Sequence, residues 1–162
     1  MHMATLDSRN VVVRPATTDD IEFMVHLFLQ IRYQLSPLGD GVDVDAIVNG
    51  TRTATREQVQ GHVANSVTNV IEYDDRRIGR LRVVRADGQI AIAGLQILPG
   101  FQRRGVGTAV INNLIEEAAA TSMPVILEVE KDNPEAESLY TRLGFERYGE
   151  TGDAYRMRYV TA

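Results

Sequence analysis

The chain of 162 residues contains no cysteine, which excludes disulfides, thiolate nucleophiles and cysteine-based zinc sites together. Histidine is scarce. His2, His26 and His62 are scattered without metal-ligand spacing, so no metal is expected. No apolar run approaches the roughly 20 residues that a membrane span needs. Met1-His2-Met3-Ala4 lacks the apolar core of a secretory signal. Positive charge is also in short supply. Lys and Arg number 17 against 22 Asp and Glu, a formal net charge of -5, which argues against a sequence-blind grip on nucleic acid. These absences leave a cytoplasmic protein as the expectation, with neither nucleic acid nor membrane as partner. Residues 1–9 read as a flexible N-terminus, with Met1-His2 resembling a cloning remnant.

What is present is ordinary for a globular protein: 44% apolar and 24% charged residues, enough chain for a single domain over 1–162. Val11-Val12-Val13 before Arg14-Pro15 reads as a strand. Thr17-Thr18-Asp19-Asp20 opens a helix, with Asp19 and Glu22 spaced like a capping box, and the helix ends near Leu35. Residues 36–55 read as a loop, and a second helix is expected from Thr55-Arg56. Three strands follow, separated by Asp74-Asp75-Arg76-Arg77 and by the hairpin signal Ala86-Asp87-Gly88. The third, Gln89 to Leu98, sets Ile90, Ile92, Gly94 and Gln96 against Ala91, Ala93, Leu95 and Ile97, as in a central strand buried on both faces. Gly94 within it suggests a bulge or a close backbone approach.

The most informative stretch runs from Leu95 to Thr108. An apolar run ends at Pro99, a basic Gly-containing loop follows, and Val106, Val110, Leu114 and Ala118 then recur at helical spacing. A loop of this kind sits at a helix N-terminus, where free N–H groups and the dipole favour phosphate. Gly105 and Gly107 permit close approach, and Arg103 and Arg104 offer charged donors. The dinucleotide fingerprint is incomplete, because Val110 occupies the third glycine position. The Gly-Lys-Ser/Thr of a triphosphate loop is missing. Beyond a further strand, Val125 to Val129, Asn133 and Pro134 open another helix, with Ala136, Leu139, Tyr140 and Leu143 on one face. Two closing strands, Phe145 to Glu150 and Ala154 to Val160, complete the order β-α-α-β-β-β-α-β-α-β-β. That order implies an α/β (α+β) fold, a mixed central sheet of about six to seven strands with helices on both faces.

Two segments carry a resemblance. Gln102-Arg103-Arg104-Gly105-Val106-Gly107 resembles the acetyl-CoA loop, Gln/Arg-x-x-Gly-x-Gly/Ala, of the GNAT N-acetyltransferase superfamily. Asn133-Pro134-Glu135-Ala136-Glu137-Ser138-Leu139-Tyr140-Thr141-Arg142-Leu143-Gly144-Phe145 resembles that superfamily's Asn-x-x-Ala-x-x-Leu-Tyr-x-x-x-Gly-Phe segment. The resemblance implies two splayed parallel strands forming a wedge for acetyl-CoA, the cosubstrate, and an amine acceptor attacking directly in a ternary complex. By the same resemblance, backbone groups of Leu95, Gln96 and Ile97 would pair with the pantetheine arm. Gln102 belongs to the loop motif, and N–H groups of Arg103, Arg104, Gly105, Val106, Gly107 and Thr108 would hold the pyrophosphate. Asn133 would bond the cofactor, Tyr140 would protonate the leaving thiolate, and Glu128 would be the base. Of the two acids in that strand, Glu128 and Glu130, one alone is expected to face the cleft. A homodimer is compatible with the resemblance. The acceptor site is expected among the N-terminal helices, the 36–55 loop and the C-terminal hairpin, where Asp40, Asp43, Asp45 and Asp153 are candidates to attract a cationic amine. The competing reading is a non-catalytic acyl-CoA-binding or regulatory module, and a nucleotide-binding domain is a third.

Overall fold

The computed structural model describes residues 4–35 and 41–160. Its elements are β1 (Val11–Pro15), α1 (Ile21–Leu35), α2 (Val44–Val59), β2 (Ser66–Tyr73), β3 (Arg76–Ala86), β4 (Gln89–Ile97), α3 (Val106–Thr121), β5 (Val125–Glu130), α4 (Pro134–Arg142), β6 (Glu146–Thr151) and β7 (Ala154–Tyr159). The seven strands form one sheet in the order β1-β2-β3-β4-β5-β7-β6. Every neighbouring pair is antiparallel except β4 and β5, which are parallel and joined through α3. Among the described residues no helix is long and apolar enough to cross a membrane.

Strand alternation distributes helices over both faces. Ile71, Leu81, Ile90, Ile92, Val125, Leu127 and Val129 join Val106, Val110, Ile111 and Leu114 of α3 in one buried cluster. Ala136, Tyr140 and Leu143 of α4 pack against that cluster as well. Arg80 of β3, neighbour to Leu81 in the chain, projects to the opposite face. There it meets Gln58 of α2 and the ring of Phe28 of α1.

The alternation expected for β4 is broken by a bulge. Arg82 pairs with Gly94 while Val83 pairs with Ile92, so Ala93 is the extra residue. Parity therefore switches in mid-strand. Ile90, Ile92, Leu95 and Ile97 all belong to the α3 face, and Gln96 bonds Arg80 on the other. Ile90 and Ile92 are buried, Ala93 is exposed, and the remaining residues of the strand are half-buried.

Two other expectations are corrected. The 36–55 loop is largely helix, because α2 begins at Val44, where the Asp43 side chain accepts from the Ala46 N–H. Gly50 and the threonines blur its apolar rhythm and lower its intrinsic propensity. Two of them, Thr51 and Thr53, return their hydroxyls to the carbonyls of Ile47 and Asn49. Packing against α1 and the Arg52–Glu22 ion pair supply what propensity lacks. That pair also explains why Glu22 is not the capping acid: Asp20 accepts from the Thr17 N–H instead, at 2.9 Å.

Asp20 holds the entry to this layer. Its side chain is 2% exposed and accepts from Arg14 of β1 at 2.9 and 3.0 Å and from Arg77 of β3 at 3.3 Å. The Arg14 guanidinium in particular holds the carboxyl at about 2, against an ordinary 3.8. A carboxylate so lowered stabilises the fold above pH 4 and loses that contribution as the pH falls from about 4 to about 2. The amount is about 2 kcal/mol at 1.36 kcal/mol per unit. Replacing Asp20 with Ala leaves Arg14 with Glu72 alone and removes the carboxylate from Arg77, and is expected to cost about 3 kcal/mol in urea unfolding at pH 7. The difference from the parent protein should shrink as unfolding is repeated at pH 4 and then pH 3.

Candidate active site

The bulge in β4 has a direct consequence on the strand's other edge. Parallel pairing with β5 covers only Ile90–Val125, Ala91–Ile126 and Ile92–Leu127. At Ala93 the two strands part, although β4 continues to Ile97 and β5 to Glu130. Between them opens a crevice of about 580 Å³, lined by β4 from Ala91 to Gln96 and by β5 from Ile126 to Glu130. Asn133, Ala136 and Tyr140 close one side. The free edge of β4 presents peptide groups to this space, as an added strand would require. Leu95 and Gln96 line the crevice. The Ile97 carbonyl is occupied by the Gln102 side-chain amide at 2.9 Å, which pins the following loop to the strand end.

That loop makes a left-handed step at Arg103 (φ 59°) and another at Gly105 (φ 89°), the residue that caps α3. Gly105 has no side chain with which to cap. The first helical bond runs from the Ala109 N–H to the Gly105 carbonyl at 3.0 Å, so the N–H groups of Val106, Gly107 and Thr108 stay outside the ladder. They form the positive end of a 16-residue helix. The arginines behave differently from expectation. The Arg103 guanidinium pairs with Glu135 of α4 at 2.5 Å. That of Arg104 reaches the carbonyls of Ala4 and Gly100 and lies over Phe101. Both brace the loop with their side chains, leaving its backbone to meet an anion. The N-terminal segment, expected as a loose end, lies against the same loop: the Leu6 N–H donates to the Arg104 carbonyl at 2.8 Å.

Asn133 caps α4, its side chain accepting from the Ala136 N–H at 3.2 Å, and its exposed remainder lines the crevice. Tyr140 lies two turns further along the same helix. Its ring packs 6.0 Å from that of Phe145, and burial pushes its phenol above the ordinary value of 10.0. It therefore keeps its proton across the neutral range. Glu128 also lines the crevice, exposed, 4.0 Å from Arg156 of β7. The expectation that Glu128 and Glu130 part company is corrected. Two residues apart, they share a face, and both are exposed beside the buried Val129.

The structure thus brings Leu95, Gln96, Glu128, Asn133 and Tyr140 to one crevice, and Gln102 to Thr108 to the helix start beyond Ile97. Of the acids expected to draw in a cationic amine, Asp43 is engaged as a helix cap, while Asp40 lies outside the described residues. Sequence reasoning missed Arg80 and Gln58. The available signal was weak: Arg80 lies between Gly79 and Leu81 in a strand that also carries Arg76, Arg77, Arg82 and Arg85, and only its burial sets it apart. Among the described residues no group of His, Cys, Asp or Glu is arranged to hold a metal ion.

No curated protein matches the chain. Solved structures do. The PaiA N-acetyltransferase of Thermoplasma acidophilum, in complex with coenzyme A, superposes with a TM-score of 0.73 at 13% identity, covering 93% of this chain and 98% of that one. An acetyltransferase of Thermus thermophilus gives 0.67 at 15% identity, over 98% and 97% of the two chains. The spermidine N-acetyltransferase of Vibrio cholerae, in complex with coenzyme A and spermine, gives 0.69 at 16% identity, over 94% and 96%. Identities this low establish the shared fold. The family model of the acetyltransferase (GNAT) family matches residues 46–145, more than half of the sequence, and the segment includes the splayed strands, the anion loop and Tyr140. On that match the chain belongs to the GNAT acetyltransferase family.

Proposed function

We propose that this protein is an N-acetyltransferase that moves an acetyl group from acetyl-CoA to a primary amine by direct attack in a ternary complex. The observation that carries the reading is the parting of β4 from β5 at Ala93, with Tyr140 on its wall and the uncapped start of α3 beyond it. The fit to the cosubstrate is physical. A wedge with a free strand edge suits an amide-bearing arm, and three unladdered N–H groups at a helix start suit a diphosphate.

The cosubstrate supplies an acetyl group activated as a thioester. The chain's own residues supply positioning and protons. The Val106, Gly107 and Thr108 N–H groups anchor the diphosphate, and Asn133 faces the arm from α4. Glu128 takes a proton from the incoming ammonium, so that the nitrogen lone pair is free to attack. As the carbon–sulfur bond breaks, Tyr140 gives its phenolic proton to the sulfur, and the second proton shed by the acylated nitrogen restores the phenol. A phenol raised by burial is protonated when the step begins and regains its proton readily afterwards. The PaiA structure contains coenzyme A, and the Vibrio cholerae structure contains coenzyme A with spermine, in agreement with an amine acceptor. The reading includes a cytoplasmic address and a homodimer.

Four substitutions test it. Tyr140→Phe should lower kcat by about 10²- to 10⁴-fold, followed as free thiol released from acetyl-CoA, with coenzyme A affinity nearly unchanged. An unaltered rate removes Tyr140 from the chemistry. Gly105→Glu places a carboxylate and a Cβ at φ 89°, 3.0 Å from Thr5 Cγ2, and should abolish coenzyme A binding in calorimetry. Retained affinity would put the diphosphate elsewhere. Glu128→Gln should reduce kcat by about tenfold or more, and Glu130→Gln by less. Equal losses would leave the base unassigned between them. Tight coenzyme A binding with no turnover of any amine would instead mark a non-catalytic binding module.

A further inference from the structure

A second cavity, of about 520 Å³, lies between α1 and α2 on the face of the sheet opposite α3. Its walls are mainly apolar, with Phe28, Leu29, Ile47 and Ala54 among them, and its floor is formed by Gln58 of α2 and Gln96 of β4. Gln96 lines this groove and the crevice between β4 and β5 alike, so the two spaces meet at one side chain.

Beneath both glutamines lies Arg80, 3% exposed. Its Nη1 donates to Gln96 Oε1 at 2.8 Å and its Nη2 to Gln58 Oε1 at 2.6 Å. The face of Phe28 covers it at 5.0 Å. Its buried Nε has no partner among the described residues, and no carboxylate lies within ion-pair distance of it among them. Burial, reinforced by nearby Arg82, pulls its pKa down to about 10. A buried cation compensated only by amide dipoles is costly, and the arrangement is built in: a Cβ on Gly94 would stand 2.4 Å from Arg80 Nη1.

The guanidinium can only donate. Both amides must therefore turn their oxygens toward Arg80, which leaves their NH2 groups for the groove, where Arg32, Thr51 and Thr55 are the other polar lining residues. A floor of donors over a buried cation attracts oxygen acceptors and negative charge. Among the described residues the groove has no Asp or Glu in its lining, and a polycation would find no carboxylate counter-charge among them.

We propose that the α1–α2 groove is the acceptor site, and that it takes an apolar monoamine bearing a carboxylate, bound by the Gln58 and Gln96 amides over Arg80. The carboxylate lies on the donor floor, the apolar body between the helices, and the amine points past Gln96 into the crevice. This rests on the acetyltransferase reading and adds to it the class of acceptor. Arg80 is a positioning residue in this scheme: it orients two amides and supplies the field that favours an anion.

The test uses the full chain saturated with coenzyme A. L-leucine and L-phenylalanine, their carboxamides, and spermidine are compared by calorimetry, then by thiol release with acetyl-CoA. The carboxylates should bind about tenfold or more tightly than their carboxamides, and spermidine more weakly still. Gln58→Glu is the decisive variant, because it gives Arg80 a carboxylate within the protein. It should preserve or raise the melting temperature and leave coenzyme A affinity unchanged, yet erase the preference for carboxylate over carboxamide. If Arg80 were purely structural, the preference would be absent from the parent protein or would survive the substitution; either result overturns the proposal. Equal or better binding of carboxamides or spermidine overturns it too, and if these are acetylated the transferase reading stands. Failure to bind coenzyme A at all would defeat that reading, and this one with it.

Discussion

One irregularity in one strand organises the molecule. The extra residue at Ala93 bends β4 away from β5 after three residue pairs and reverses which side chains face which layer. A regular β4 would have stayed paired with β5, closing the crevice, and would have turned Leu95 and Ile97 away from the α3 cluster. With the bulge, the apolar residues stay buried while the strand's free edge is exposed to a cavity. The same reversal aims Gln96 at Arg80, so the crevice between β4 and β5 and the α1–α2 groove are joined by a single backbone event.

The bulge is in turn constrained by Arg80. Gly94 is the residue paired with Arg82 at the shift, and the absence of a Cβ there admits the guanidinium. A buried arginine bonded to two amide oxygens ties β3, β4 and α2 together at the point where the two cavities meet. The contrast with Asp20 is instructive. Asp20 is buried to a similar degree, yet it has Arg14 and Arg77 as counter-charges and closes a purely structural junction. Among the described residues Arg80 has no such partner, and it lies under a groove rather than within a sealed joint.

Much of the frame was legible in the residues. The element order, the start of α3 at Val106 and the Asn133 cap follow from periodicity and capping chemistry, which act over a few residues. The Gly94 irregularity was legible as well. The start of α2 at Val44 was not, since its threonines and Gly50 weaken local preference and its stability comes from α1, a contact invisible in one dimension. The side-chain roles of Arg103 and Arg104 were also hidden. Both arginines are bound to partners distant in sequence, Glu135 and Ala4, and their spacing in the loop says nothing about that.

By itself the sequence determined the sheet's strand count, the glycine-containing loop before α3 and the helix that carries Tyr140, because these depend on local spacing and on motifs a few residues long. Only the tertiary structure decided that β4 and β5 part at Ala93, that Glu128 and Glu130 share a face beside the crevice, and that Arg80 is buried beneath two glutamines with no carboxylate at hand among the described residues. The reason is physical: whether a charge has a counter-charge, or a strand edge a neighbour, depends on residues brought together from separate parts of the chain.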